Sequence, residues 1–185
     1  EAKTSLSDRV LRNLKHGDAF AVVDAHSDIG TVDDSAEGLY YRDTRFLSHL
    51  ELRLEGKRPL LLSSAIHEDK AALSVELTNP DLDIGQKRLQ RDTIFIHRTK
   101  FLWQGTCYER VNVRNYGQTA QRLRIDLFFD ADFHDLFEVR GTPRKARGKS
   151  TVRVTSDRQV EFRYAGLDQV ERVTLLEMSP PPAAI

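Results

Sequence analysis

The sequence predicts an all-β fold, an antiparallel β-sandwich, and three observations carry that prediction. At least nine short runs alternate apolar and polar residues, as strands buried on one face do. Turn residues separate the runs, and no ten-residue helical pattern lies between them to supply the crossovers of a parallel sheet. The one helical signal comes first. Leu6, Val10, Leu11 and Leu14 recur at helix-like spacing over 5–16, with Ser7 or Asp8 as N-cap, so a short N-terminal helix is expected to end at Gly17. Phe20 to Asp24 is an apolar run closed by the Asp28-Ile29-Gly30 turn. Residues 49–55 alternate strictly, with Leu50, Leu52 and Leu54 on one face, and Gly56 to Pro59 turns the chain into Leu60-Leu61-Leu62. Leu73, Val75 and Leu77 form the next run, stopped by Asn79-Pro80. Ile94, Ile96 and Arg98 then share one face, with Phe95 and His97 on the other. Residues 108–114 alternate up to Asn115-Tyr116-Gly117, and Leu123, Ile125 and Leu127 follow in phase. Residues 152–155, 160–164 and 170–177 complete the set. One sandwich domain over 1–178 results, with the Pro-rich 179–185 read as the start of a linker.

Composition narrows the function. With 28 Lys+Arg against 28 Asp+Glu the net charge is zero, unlike a nucleic-acid-binding module, which carries a basic excess. A single cysteine, Cys107, excludes an internal disulfide and any multi-cysteine metal site. No apolar run approaches the roughly 18 residues of a membrane span, and the first thirty residues lack a signal-peptide core. The expected location is therefore cytoplasmic, with neither membrane nor nucleic acid as partner. The chain opens on Glu1 and closes on a Pro-rich run, so an excised domain is expected.

Several constellations resemble chemistry. Glycoside hydrolysis needs two carboxylates facing one bond. Asp43, Glu68, Asp69, Glu109, Asp130 and Asp132 are candidates, although among 28 acidic residues proximity by accident is expected. Asp130, Asp132 and Asp135 are similar to part of a calcium loop, but the glycine at position 6 and the glutamate at position 12 are missing. The six histidines show no HxH or HxxxH pair, so no metal is expected. Cys107 beside Tyr108 at a strand start reads as a small buried hydrophobe rather than a nucleophile. There is no GxSxG elbow and no glycine-rich phosphate loop, and no cofactor is expected. Residues 140–149 (RGTPRKARGK) read as an exposed basic loop.

Two segments stand out. Residues 38–48 pack Tyr40, Tyr41, Arg42, Asp43, Arg45 and Phe46 into seven positions. Flat aromatic faces beside planar charged groups suit a pyranose ring, which offers CH faces and hydroxyls. The plainer reading is an Arg–Asp bridge tying a loop or interface together. Trp103, the only tryptophan, sits in FLWQG (101–105), where a core or interface role competes with a sugar platform.

These same segments carry a resemblance. LKHGDAFAVVDAHSDIG (14–30), GLYYRDTRFLSHLELRLEG (38–56), RPLLLSSAIHEDKAALSVELTNPDL (58–82), FLWQGTCYERVNVRNYG (101–117) and LFFDADFHDLFEVRGTPR (127–144) fall in the order found in one family. The chain resembles the N-terminal domain of bacterial and archaeal glycogen debranching enzyme-like proteins, relatives of amylo-α-1,6-glucosidase. The resemblance implies a large mutarotase-like sandwich placed ahead of an (α/α)6 barrel that carries the catalytic carboxylates. A barrel of roughly 350 residues has no room in this chain. The implied parent is a glycoside hydrolase of α-1,6-linked glucans, and the fragment itself is expected to be non-catalytic. Its expected partners are the C-terminal catalytic barrel of the same polypeptide and an α-glucan, with Arg42, Asp43 and Arg45 at the interface or cleft rim. An apolar barrel-facing patch would make the isolated domain self-associate. The rivals are a carbohydrate-binding module, stacking sugar on Trp103, Tyr40 or Tyr41, and a complete small enzyme with a His or carboxylate acid/base pair.

Overall fold

A computed structural model of the chain describes residues 10–32, 35–67 and 71–185. The first hairpin pairs β1 (Arg12–His16) with β2 (Ala19–Val23) across the turn at Gly17-Asp18. This replaces the expected helix over residues 12–16, and residues 5–9 of that expectation lie outside the described residues. The physical reason is side-chain direction. Leu14 is fully buried, while Val10 and Leu11, which a helix would place on its face, are exposed. One inward leucine satisfies an alternating strand, and cross-strand pairing outweighs a short helix's weak local preference.

The order continues with β3 (Gly38–Tyr41), β4 (Thr44–Leu47), β5 (His49–Leu54), β6 (Leu60–Ile66), β7 (Ala72–Thr78), β8 (Leu82–Ile84) and β9 (Lys87–Leu89). Then come β10 (Ile94–Trp103), β11 (Thr106–Asn115), β12 (Ile125–Asp130), the single helical turn α1 (Leu136–Val139), β13 (Lys149–Ser156), β14 (Gln159–Ala165) and β15 (Glu171–Glu177). Every pairing is antiparallel. The strands assort as β1-β2-β3-β4, β11-β10-β7-β6, β12-β5, β13-β14-β15 and the small hairpin β8-β9. The chain is thus the all-β sandwich that its alternating runs predict.

Two cores hold the layers together. In the larger, Leu14, Ala21 and Val23 of the first sheet meet Leu73, Val75 and Leu77 of β7, Ile94 and Ile96 of β10, and Leu50, Leu52 and Leu54 of β5. Leu50, Leu52 and Leu54 point the same way as their partners on β12, so the alternation read from the sequence is the alternation used. The smaller core gathers Ala131, Phe133, Val160 and Phe162, with Phe129 and Leu176 packed against both cores. Tight approaches fix the seams. A Cβ on Gly30 would lie 2.1 Å from the Ser48 carbonyl oxygen, and Gly30 sits at φ +65°, so only glycine fits where the 24–30 loop meets β5. Ile29 completes that junction by exchanging backbone hydrogen bonds with Leu50 (2.8 and 3.0 Å).

Candidate functional site

The β3–β4 hairpin divides the residues singled out in 38–48 between two places. Tyr40 is buried and stacks on Phe20 (centroids 4.5 Å apart, planes 4° off parallel), and its hydroxyl donates to the Ala36 carbonyl at 2.8 Å. It belongs to the packing and presents no free ring face. Tyr41, its neighbour in the strand, points the other way and is exposed, with the Arg42 guanidinium 5.5 Å from its ring. Arg42 occupies the left-handed region at φ +52°. Its N–H donates to the Asp18 carbonyl at 2.9 Å, and its Nε lies 3.4 Å from the Asp18 carboxylate.

The β10–β11 hairpin meets this turn. Gln104 (φ +47°) and Gly105 (φ +76°) make the two-residue turn, whose handedness matches the twist of the strands. A Cβ on Gly105 would be 3.8 Å from the Tyr41 ring, so the hairpin tip lies directly beside Tyr41. Trp103 is 52% exposed, with one face tilted against His16 at 4.6 Å. The Gln104 N–H is 3.4 Å from His16 Nδ1. Tyr41, Arg42, Asp18, His16, Trp103 and Gln104 therefore form one exposed corner of aromatic and planar polar groups. Phe101 and Tyr108, further down the same face, stack on each other (4.8 Å, 13°).

Arg45 goes elsewhere. Its guanidinium grips Asp132 in a two-toothed pair (Nε–Oδ1 3.1 Å, Nη2–Oδ2 2.5 Å) and donates to the Ser35 and Glu37 carbonyls at 3.0 and 3.1 Å. The Asp43 carbonyl accepts from the Leu136 N–H at 3.0 Å, and the Arg45 N–H donates to the His134 carbonyl at 2.8 Å. The strings YRDTR and DADFHD, nearly ninety residues apart, are thus one locked junction. Beyond it α1 carries a full capping box: Asp135 accepts from the Phe137 and Glu138 N–H groups, and Glu138 accepts from the Asp135 N–H. Arg144 pairs with Asp135, and Arg147 reaches Glu138 (3.3 Å) and the Asp132 carbonyl (2.6 Å). Asp135, Glu138, Arg144 and Arg147, with Phe133 and Tyr164, line a cleft of about 240 Å³.

The carboxylates considered for chemistry are therefore placed. Asp132 and Asp135 are engaged by arginines, Asp130 accepts the Ala131 N–H at 2.8 Å, and Glu68 and Asp69 lie outside the described residues. Among the described residues no group of three or more His, Cys, Asp or Glu side chains is placed to hold a metal. Cys107 is half-buried against the main core, and burial pushes its thiol up to about 11.

Glu109 belongs to a feature the sequence reading missed. The inward row of β10 runs Ile94, Ile96, Arg98, Lys100, Leu102, so two cations stand where a core strand should be apolar, each only 1% exposed. Arg98 pairs with Asp28 (2.5 Å) and Glu109 (2.6 Å) and donates to the His26 and Ser27 carbonyls at 2.8 and 3.2 Å. Lys100 donates to the Ser27 carbonyl at 2.6 Å and lies 3.5 Å from Glu109. Arg58 closes the cluster on Asp24 and on Asp28 (2.9 Å). Three acids answer three bases. Burial works to raise Glu109 and Asp24, but the neighbouring cations hold both below the ordinary carboxylate range. The signal was readable: Arg98 and Lys100 are in phase with Ile94 and Ile96.

A family model described as the N-terminal domain of (some) glycogen debranching enzymes matches residues 14–185. The chain belongs to this family. No curated protein and no solved structure matches it. The match runs from β1 through β15, so the exposed corner, the Arg45–Asp132 junction and the buried charge cluster all lie within the debranching-enzyme N-terminal domain. No helix among the described residues is long and apolar enough to cross a membrane.

Proposed function

We propose that this domain is a non-catalytic partner of a glycoside hydrolase barrel, packing against the barrel of the same polypeptide and helping to shape its α-glucan cleft. The observation that carries the reading is the exposed corner, where the turn of YYRDTR and the tip of FLWQG converge. Half-exposed aromatic rings set among Arg42, Asp18 and Gln104 are the composition of a buried interface core awaiting its partner. The same β3–β4 hairpin is tied down away from the corner by the Arg45–Asp132 pair, and there the Asp132 and Asp135 carboxylates are spent on arginines. Mixing the chain with a separately produced catalytic barrel tests this. The expected result is a blue shift of Trp103 emission and slowed amide exchange at 41–42 and 103–105. Complex formation with those segments unchanged would overturn the placement.

A second reading, an independent carbohydrate-binding module, has one observation in its favour: Trp103 keeps a face open beside polar planar groups. It predicts saturable binding of maltooligosaccharides that Trp103→Ala abolishes. Tyr40 has no part in it, because its ring is already stacked on Phe20.

A further inference from the structure

Among the described residues the sheet β13-β14-β15 ends on β13, which is hydrogen-bonded to β14 alone. One row of its backbone N–H and C=O groups therefore faces outward, and every residue of the strand is exposed. Register sets what each face shows. Val152 stands opposite Phe162 and Val154 opposite Val160, and both partners are buried in the smaller core. The two valines thus belong to the inward face, yet are 61% and 59% exposed. The apolar face of the sheet extends one strand beyond what covers it. β12 overhangs the larger core in the same way: Ile125 and Leu127 share a face with Leu54 and Leu52, which are buried there, and are exposed.

Between the valines the side chains alternate to the opposite face, where Lys149, Thr151 and Arg153 lie in a row. Neither Lys149 nor Arg153 has an ion-pair partner among the described residues. Glu161, across from Arg153, is held instead by Arg163 at 3.1 Å. Charges on an edge ordinarily discourage pairing. Here they alternate with bare apolar side chains on a strand whose backbone is open, a pattern that selects among partners.

We propose that β13 is the receiving edge for an extended protein segment that alternates apolar and acidic side chains. Its backbone would pair along the open edge, its apolar side chains would cover Val152 and Val154, and its carboxylates would meet Lys149 and Arg153. A second copy of the chain fits poorly, because it would bring its own Lys149 and Arg153 to the same seam. The inference does not depend on the sugar or barrel readings, since none of the corner residues takes part.

The test uses three labelled ten-residue peptides, alternating valine with glutamate, valine with lysine, or serine with glutamate. Binding is followed by fluorescence anisotropy, and β13 by amide hydrogen exchange. The valine–glutamate peptide should bind saturably, weaken with salt, slow exchange in 149–156, and exceed the valine–lysine peptide by about tenfold. The double variant Lys149→Glu/Arg153→Glu, altered only at exposed positions, should reverse that order. Val152→Thr with Val154→Thr keeps strand propensity and should weaken the valine–glutamate peptide while leaving the serine–glutamate peptide unchanged. Equal binding of both valine peptides, an order that the charge reversal leaves intact, or no binding by any peptide would overturn the proposal. So would protection of β13 that depends on protein concentration without peptide, which would assign the edge to a second copy.

Discussion

Arg45 and Arg42 stand three residues apart in one motif and have opposite physical situations. Arg45 is largely withdrawn from water and bound at both teeth to Asp132, so removing one partner leaves the other buried without its counter-charge. Arg45→Met is expected to cost about 3 kcal/mol, read as a drop in the denaturation midpoint. A loss under about 1 kcal/mol would show that water already screens the pair. Arg42 is exposed and sits at φ +52°, where a side chain is strained. Arg42→Gly should therefore keep or slightly raise the melting temperature while removing the guanidinium from the corner, and a large fall would contradict that placement. The two arginines could be named from sequence but not told apart, because their division depends on Asp132, far along the chain. Tyr40 and Tyr41 divide for a simpler reason: neighbours in a strand face opposite ways, so only one of the pair could be a surface residue.

At the scale of elements, the alternating runs were legible wherever one face is buried. Leu50, Leu52 and Leu54, or Leu73, Val75 and Leu77, needed no tertiary knowledge. The N-terminal segment misled because Val10, Leu11 and Leu14 fit a helix as well as a strand, and only the pairing of Arg12–His16 with Ala19–Val23 decides. Strands β3 and β4 were hidden by the charged turn between them. The turn α1 was overlooked although Asp135 and Glu138 stand at capping-box spacing. That box makes a prediction. Asp135→Ala should cost about 1 kcal/mol for the lost cap, and more if the Arg144 pair contributes. Exchange of the Leu136 amide, which donates to Asp43, should quicken with it. Unchanged exchange there would mean α1 is held by its packing and not by its cap.

Across the whole molecule, the buried charge cluster clamps the 24–30 loop to β10 and makes stability depend on acidity in two stages. Burial lowers His26 from its ordinary 6.5, and Arg58 lowers it further, against Asp24 and Asp28, which pull the other way. Its folded form favours the neutral ring, so the stability it gives is present above about pH 6.5 and is lost as pH falls below that. Asp24 and Glu109 are held below their ordinary 3.8 and 4.5, so their contribution is full above those values and is lost as pH falls through the lower folded ones. Urea midpoints taken between pH 8 and pH 2 should show a shallow first decline and a steeper second one. A stability that rises on acidification from pH 7 to pH 5 would refute the assignment of His26. The central claim remains that the corner of Tyr41, Arg42 and Trp103 is an interface. The most direct measurement is a titration of the folded chain with linear and branched maltooligosaccharides, followed by Trp103 emission. The account predicts no saturable change with any sugar, whereas saturable binding that Trp103→Ala abolishes would contradict it and make this domain a glucan-binding module.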